Sequence, residues 1–241
     1  MSTHTYIPQS LRLLGGVLLL AVTILPACTE FLSQSVEEVV LHINSPADSL
    51  YSQDHQLTFW WEADNRVESY RFQLVQPDFS NPIRIIDTTV IDTRLTFSLE
   101  EGRYLWRIRA ENAASESTYQ LQSMVVDTTA PRSPDLQFPS NESNLALDTD
   151  IPELRWNSQD SPIDGVRFPT QDSVILAISS TGQELGRFFR SKNEASSWNI
   201  QSLLPPQTEA DSVHLRWKVV SFDLAGNRAE SNWLSFQIIW P

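Results

Sequence analysis

Alternation of apolar and polar residues with a period of two dominates this chain of 241 residues. In Leu57-Thr58-Phe59-Trp60-Trp61 the apolar Leu57, Phe59 and Trp61 share one face, and Leu154-Arg155-Trp156 repeats the end of that pattern. Further on, Tyr104-Leu105-Trp106-Arg107-Ile108-Arg109-Ala110 has an echo in Leu215-Arg216-Trp217-Lys218-Val219-Val220-Ser221. Alternate positions there are apolar or small, and Arg107, Arg109, Arg216 and Lys218 stand between them. Such alternation marks strands with one face on a core and the other in water. It predicts further strands over residues 70–74, 95–99, 120–126, 174–178 and 233–240, separated by turn signals at Glu101-Gly102, Thr181-Gly182 and Gly226-Asn227. No stretch of comparable length has helical periodicity. Many short strands with regular turns predict an all-β chain of sandwiches.

The echo divides the chain into two copies. Trp61 and Trp156 lie 95 residues apart, and Trp106 and Trp217 lie 111 apart, so the second copy is longer inside by 16 residues. The long stretch 157–172, with Pro162, Gly165 and Pro169, is expected to be an extended loop holding much of that excess. Between the copies runs Asp127-Thr128-Thr129-Ala130-Pro131-Arg132-Ser133-Pro134, whose prolines and small polar residues suit a short, stiff connector. The predicted order is a leader over 1–27, a tether over 28–36, a sandwich over 37–128, a linker over 129–134 and a second sandwich over 135–241.

Particular residues carry a family resemblance. Leu99-Glu100-Glu101-Gly102-Arg103-Tyr104, followed by Trp106, Ile108 and Ala110, resembles the tyrosine corner that enters the sixth strand of fibronectin type III and related immunoglobulin-like modules. Asp127-Thr128-Thr129-Ala130-Pro131 resembles the join between consecutive modules of bacterial envelope proteins, and Asp223-Leu224-Ala225-Gly226-Asn227 resembles a recurrent turn before their last strand. The resemblance implies two such sandwiches in tandem and is almost silent on activity. The second copy departs from it, with Leu215 where Tyr104 stands in the first.

Ahead of both copies, an apolar run over residues 13–25 leads into Leu25-Pro26-Ala27-Cys28, the only cysteine of the chain. The run is shorter than the roughly twenty residues that span a bilayer. It follows a segment with Arg12 and no acid, as in a secretion signal. Leu-Pro-Ala-Cys resembles the lipobox of bacterial lipoproteins, which implies cleavage before Cys28 and acylation, with palmitate among the acyl groups. Thr29, rather than Asp, in the next position leans by the same resemblance towards the outer membrane, on either face of it. Residues 29–36 extend no more than about 28 Å, so the first sandwich is expected close to the bilayer.

Net charge sharpens this picture. Loss of the leader removes one of 17 basic residues and none of 30 acidic ones, moving the formal charge from −13 to about −14. That disfavours nucleic acid, whose phosphates demand clustered cations, and leaves membrane attachment to the lipid. With no second cysteine the sandwiches must be held by packed cores. The 8 Trp, 11 Phe and 5 Tyr supply the area.

Catalytic chemistry finds little support. His42, His55 and His214 lack metal-pair spacing, and no nucleophile motif or phosphate-cradling glycine loop occurs. His214 reads as an exposed edge residue rather than a base. No catalytic, cofactor or metal residue is assigned, and no cofactor is expected. Asp160, Asp164 and Asp172 of the long loop could gather calcium, yet their spacing matches no calcium loop.

Binding residues are easier to nominate. Period two turns Trp60 outward, where cover by the tether, the neighbouring sandwich or a loop is its expected fate; left bare, it could stack on a sugar. Arg71, Arg107 and Arg109 should share one outer face as a basic stripe, partnered by cross-strand acids. Phe188, Phe189 and Trp198 should alternate in and out. Asp48-Ser49-Leu50 and Asp172-Ser173-Val174 resemble a bacterial O-glycosylation signal, short enough to arise by chance. The expectation is a non-catalytic lipoprotein that is membrane-bound by its lipid and docks another envelope protein, with glycan binding through exposed aromatics as the alternative.

Overall fold

A computed structural model of the chain describes residues 1–3, 34–191, 196–207 and 211–241. Cys28, most of the leader and most of the tether lie outside the described residues. The chain divides into two units, Met1–Leu32 and Ser33–Pro241, and both sandwiches belong to the second.

The first sandwich comprises β1 (Ile43–Ser45), β2 (Leu50–Ser52), β3 (Gln56–Trp61), β4 (Ser69–Gln76), β5 (Arg84–Val90), β6 (Arg94–Ser98), β7 (Gly102–Glu111) and β8 (Gln120–Val126). One sheet has the order β1-β3-β6 and the other β2-β8-β7-β4-β5. Pairing is antiparallel except between β2 and β8.

The second sandwich comprises β9 (Asp135–Phe138), β10 (Ser143–Ala146), β11 (Glu153–Asn157), β12 (Gln171–Ile178), β13 (Glu184–Arg190), β14 (Ser197–Asn199), β15 (Ser212–Phe222), β16 (Arg228–Glu230) and β17 (Leu234–Ile239). Its sheets run β9-β11-β14 and β10-β17-β15-β12-β13, with β16 on β15 and a parallel β10–β17 pair matching β2–β8. This is the same topology twice. The chain is all-β, two fibronectin type III-like sandwiches in tandem. Among the described residues no helix is long and apolar enough to cross a membrane.

Alternation builds each core as the sequence requires. Along β7, Tyr104, Trp106, Ile108 and Ala110 are buried while Arg103, Leu105, Arg107 and Arg109 are only partly covered. Phe59 of β3 meets Phe72, Phe97 and Trp106 edge-on, with ring centroids 5.0, 5.9 and 5.0 Å away. Each such pair adds about 0.5–1.5 kcal/mol to the area it buries. Trp61, Trp106, Trp156 and Trp217 are all buried, so the sequence echo is an echo of two cores. The tyrosine corner is formed: Tyr104 Oη donates to the Glu100 carbonyl at 2.8 Å. Leu215, at the matching place in β15, packs wholly inside the second core without a hydroxyl to donate.

The second core instead holds a buried polar group. Asp172 accepts from Trp156 Nε1 at 2.6 Å, from Arg190 Nε at 2.7 Å and from Ser221 Oγ. Arg190 also reaches the Thr170 hydroxyl at 2.9 Å. Pairing and hydrogen bonds of this kind offset the cost of burying a carboxylate.

Three expectations need correction. The loop expected over 157–172 is shorter at both ends, since Asn157 closes β11 and Gln171 and Asp172 already belong to β12, and part of the extra length lies beyond Leu176. His214 is exposed but not on an edge, because β15 lies between β12 and β17. Ser173 is buried within β12, so Asp172-Ser173-Val174 offers no accessible hydroxyl.

Candidate functional site

The sequence-nominated surface of the first sandwich is largely self-satisfied. Arg71 pairs with Asp87 across β4 and β5, its Nε 2.6 Å from the carboxylate. Arg109 pairs with Glu111 at 2.7 Å and with Glu116. Arg107 lies between the rings of Phe79 and Tyr119, 4.2 Å from each centroid, and donates to Gln73 Oε1. The second sandwich repeats the device: Arg216 and Lys218 lie over Trp233 at 4.5 and 5.3 Å. The three arginines do share a face, as the alternation implied.

Trp60 points outward and is 41% exposed, with Arg94 over its ring at 5.4 Å. The cover expected for it is therefore incomplete. Phe188 packs on Trp198 at 5.5 Å, and Phe189 is 69% exposed, as alternation requires.

A different apolar surface escaped the sequence reading. Strand β5 closes one end of its sheet with no neighbour beyond it among the described residues, and Ile83, Ile85 and Ile91 at this edge are 74%, 62% and 78% exposed. Edge strands are usually blunted by charge, proline or a bulge.

The most concentrated chemistry lies where the two sandwiches join. Asp127 follows the last residue of β8, and its amide donates to the Ser52 carbonyl at 2.8 Å, holding it against β2. Asp223 follows the last residue of β15 and organises the turn to Asn227. Asp223 Oδ1 accepts the Asn227 amide at 2.9 Å, and Oδ2 accepts Asn227 Nδ2 at 2.8 Å. Gly226 takes a φ of +93° there, a region that L side chains rarely enter. Asn227 Nδ2 also donates to the Asp127 carbonyl at 2.7 Å, tying the end of the first sandwich to a turn of the second.

Asp160 comes from the loop between β11 and β12. A carboxylate oxygen from each of Asp127, Asp160 and Asp223 lies within 4.8 Å of the other two, and all three residues are buried. The loop also reaches back with Asp164, whose Oδ2 accepts the Arg103 amide at 2.7 Å, and with Phe168, edge-on to Tyr51 at 5.3 Å.

Electrostatics at this join is one-signed. Burial pushes the Asp127 carboxyl up to about 6, against the pull of the Thr129 amide, and the charges of Asp223, Asp160 and Glu101 add to the rise. Burial likewise raises Asp160, opposed by the Ser161 amide and reinforced by Asp223 and Glu101. Among the described residues no Lys, Arg or His forms a salt bridge with any of the three. The grouping differs from the one the loop suggested. Asp172 is committed to Trp156, Arg190 and Ser221, and Asp164 to a backbone amide, which leaves Asp160 with two acids from other segments.

No family model matches this chain. No curated protein matches it. Solved structures do. The likeness is to fibronectin type III modules. The fibronectin(III)-like modules of Clostridium thermocellum CbhA are 14% identical over 83% of this chain and 94% of theirs, with a TM-score of 0.39. A two-domain fibronectin type III segment of chicken tenascin is 13% identical over 83% and 97%, at 0.31. Domains FN1–FN3 of chicken CNTN1 are 13% identical over 80% and 65%, at 0.34. Strand order and register, rather than these likenesses, establish the fold.

Proposed function

We propose that this chain is a non-catalytic envelope lipoprotein, anchored at the outer membrane through acylated Cys28, whose tandem sandwiches dock another envelope protein. The observation that carries the docking half is the β5 edge, an open strand flanked by exposed Ile83, Ile85 and Ile91. An open edge can accept a partner strand, with backbone hydrogen bonds giving affinity and the isoleucines giving specificity. Anchoring rests on the lipobox resemblance of Leu25-Pro26-Ala27-Cys28.

The test is a photo-crosslinking amino acid at position 85 of the full-length protein in native envelopes. One discrete, stoichiometric protein adduct, lost when Ile83→Lys is added, supports docking at this edge. No adduct, or an adduct indifferent to Ile83→Lys, overturns it. Anchoring is tested separately: Cys28→Ser should abolish uptake of labelled fatty acid, and unchanged acylation refutes the anchor.

A glycan-binding role has one observation in its favour, the exposure of Trp60. It predicts ligand-dependent tryptophan quenching on a glycan array, lost in Trp60→Ala.

A further inference from the structure

The acidic group at the join calls for a partner that the described protein atoms do not supply. Asp127, Asp160 and Asp223 are 3%, 3% and 4% exposed, and their converging oxygens belong to three chain segments far apart in sequence. Buried charges are paired with opposite charge or coordinate a metal. These three have no salt-bridge partner among the described residues.

A second observation is independent of their clustering. Asp160 Oδ1 accepts the Ser161 amide at 2.8 Å, but Oδ2 of the same carboxylate is buried with no hydrogen-bond partner. By contrast, both oxygens of Asp223 are engaged by Asn227, and Asp127 Oδ1 accepts the Thr129 amide. Asn227 thus holds the Asp223 carboxylate and the Thr129 amide holds that of Asp127, which leaves a buried oxygen of Asp160 to bind something else.

We propose that Asp127, Asp160 and Asp223 form a calcium site that clamps the two sandwiches together. The chemistry selects the ion. All donors are carboxylate oxygens with no nitrogen or sulfur among them, which suits a hard cation rather than zinc. Calcium–oxygen distances of about 2.3–2.6 Å let ligands on opposite sides of one ion sit about 4.6–5.2 Å apart, which accommodates oxygens within 4.8 Å. Magnesium demands near-octahedral geometry and sheds its waters reluctantly, so it is seldom held by a cage of protein oxygens. Carbonyls and water would complete the six to eight oxygens that calcium takes. Because Asp127 belongs to the first sandwich and Asp160 and Asp223 to the second, binding joins them without any new protein contact. The inference is independent of the docking reading, since neither its residues nor its test involve β5, the lipid or a partner.

The test uses the detergent-solubilised full-length chain, stripped with chelator and titrated with calcium chloride by calorimetry. A 1:1 site is expected, with Kd near the 10⁻⁴–10⁻³ M range of structural modules, roughly. Calcium should raise the melting temperature and slow proteolysis of the connector over residues 129–134, and magnesium at equal concentration should do neither. Asp160→Asn should weaken calcium binding at least tenfold while keeping its melting transitions in chelator. Asp223→Asn serves as the second variant should Asp160→Asn misfold, and the surface variant Asp54→Asn should bind like wild type. Absence of a calcium-dependent shift in wild type overturns the proposal, because the carboxyls would then be holding protons. Equal affinity in Asp160→Asn overturns it as well.

Discussion

Replacing Tyr104 with Phe removes one hydroxyl and leaves the ring, which is 3% exposed, in its core position. The hydroxyl's bond to the Glu100 carbonyl, 2.8 Å long, closes the turn between β6 and β7. A typical intramolecular hydrogen bond adds about 0.5–1.5 kcal/mol net. Glu100 is an exposed residue, so water can reach its carbonyl once the phenol is gone. The expected loss therefore lies in the lower part of that range, about 0.5–1 kcal/mol. For a domain of this size each kcal/mol moves the melting temperature by about 4–8 °C, giving a shift of about 2–8 °C.

The second sandwich is an internal control, since it has Leu215 at the matching position and no corner. Scanning calorimetry of the full-length chain should show the transition of the first sandwich fall and that of the second stay. Leu215→Ala should do the reverse, costing about 2–5 kcal/mol by opening a cavity in the second core. If Tyr104→Phe leaves both transitions in place, or lowers both equally, the corner does not act as a local fastener of one module.

Other outcomes follow from single groups. Asp172→Ala strips the shared acceptor from Trp156, Arg190 and Ser221, and should cost about 3–5 kcal/mol in chemical denaturation; a loss below about 1 kcal/mol would show that the network is not paired in solution. In chelator, Asp127 should make stability depend on pH. Its folded value of about 6 exceeds the ordinary 3.8, so its favourable contribution is full below about pH 4 and is lost as pH rises through 6. Allowing for solvent screening, Asp127→Asn should be more stable than wild type by about 1–2 kcal/mol at pH 7.5 and level with it near pH 4; a difference independent of pH contradicts this. Trp60→Ala should cost less than about 1 kcal/mol, because Trp60 is already 41% exposed and, among the described residues, Arg94 alone stacks on its ring.

Central strands were legible in the sequence because burial forces alternation. Residues 120–126 are β8 as predicted, and β3, β4, β12 and β17 were found with ends shifted by a few residues. The strands that left no clear signal are short or at edges. β1, β2, β14 and β16 have three residues each, too few for a period to register. β5 reads Arg-Ile-Ile-Asp-Thr-Thr-Val, in which Ile85 faces out on an open edge beside Ile86, so apolar residues fall on both faces. The arginine face was legible for the same reason as the strands. Its cover by the rings of Phe79 and Tyr119 and its pairing with Glu116 depended on loops and could not be read from period two.

The carboxylate group shows what sequence patterning leaves out and why. Asp127 heads the join between the modules, Asp223 heads a turn motif, and Asp160 is one of several acids in a loop; spacing gives no reason to unite them. The topology does. β8 and β15 both deliver an acid just past their last residue, and the turn at Gly226 and Asn227 holds the second acid against the backbone of the first. The remaining acid arrives on a connection whose length is otherwise unexplained. The first sandwich links β3 to β4 through residues 62–68, while the second spends residues 158–170 on the equivalent link from β11 to β12. Asp160, Asp164 and Phe168 of that longer link each meet the first sandwich, through Asp127, the Arg103 amide and Tyr51. A loop lengthened only by drift would owe its neighbour nothing. This one places two carboxylates, one of them accepting a backbone N–H, and an aromatic ring on the same neighbour, so its added length serves the join between the sandwiches.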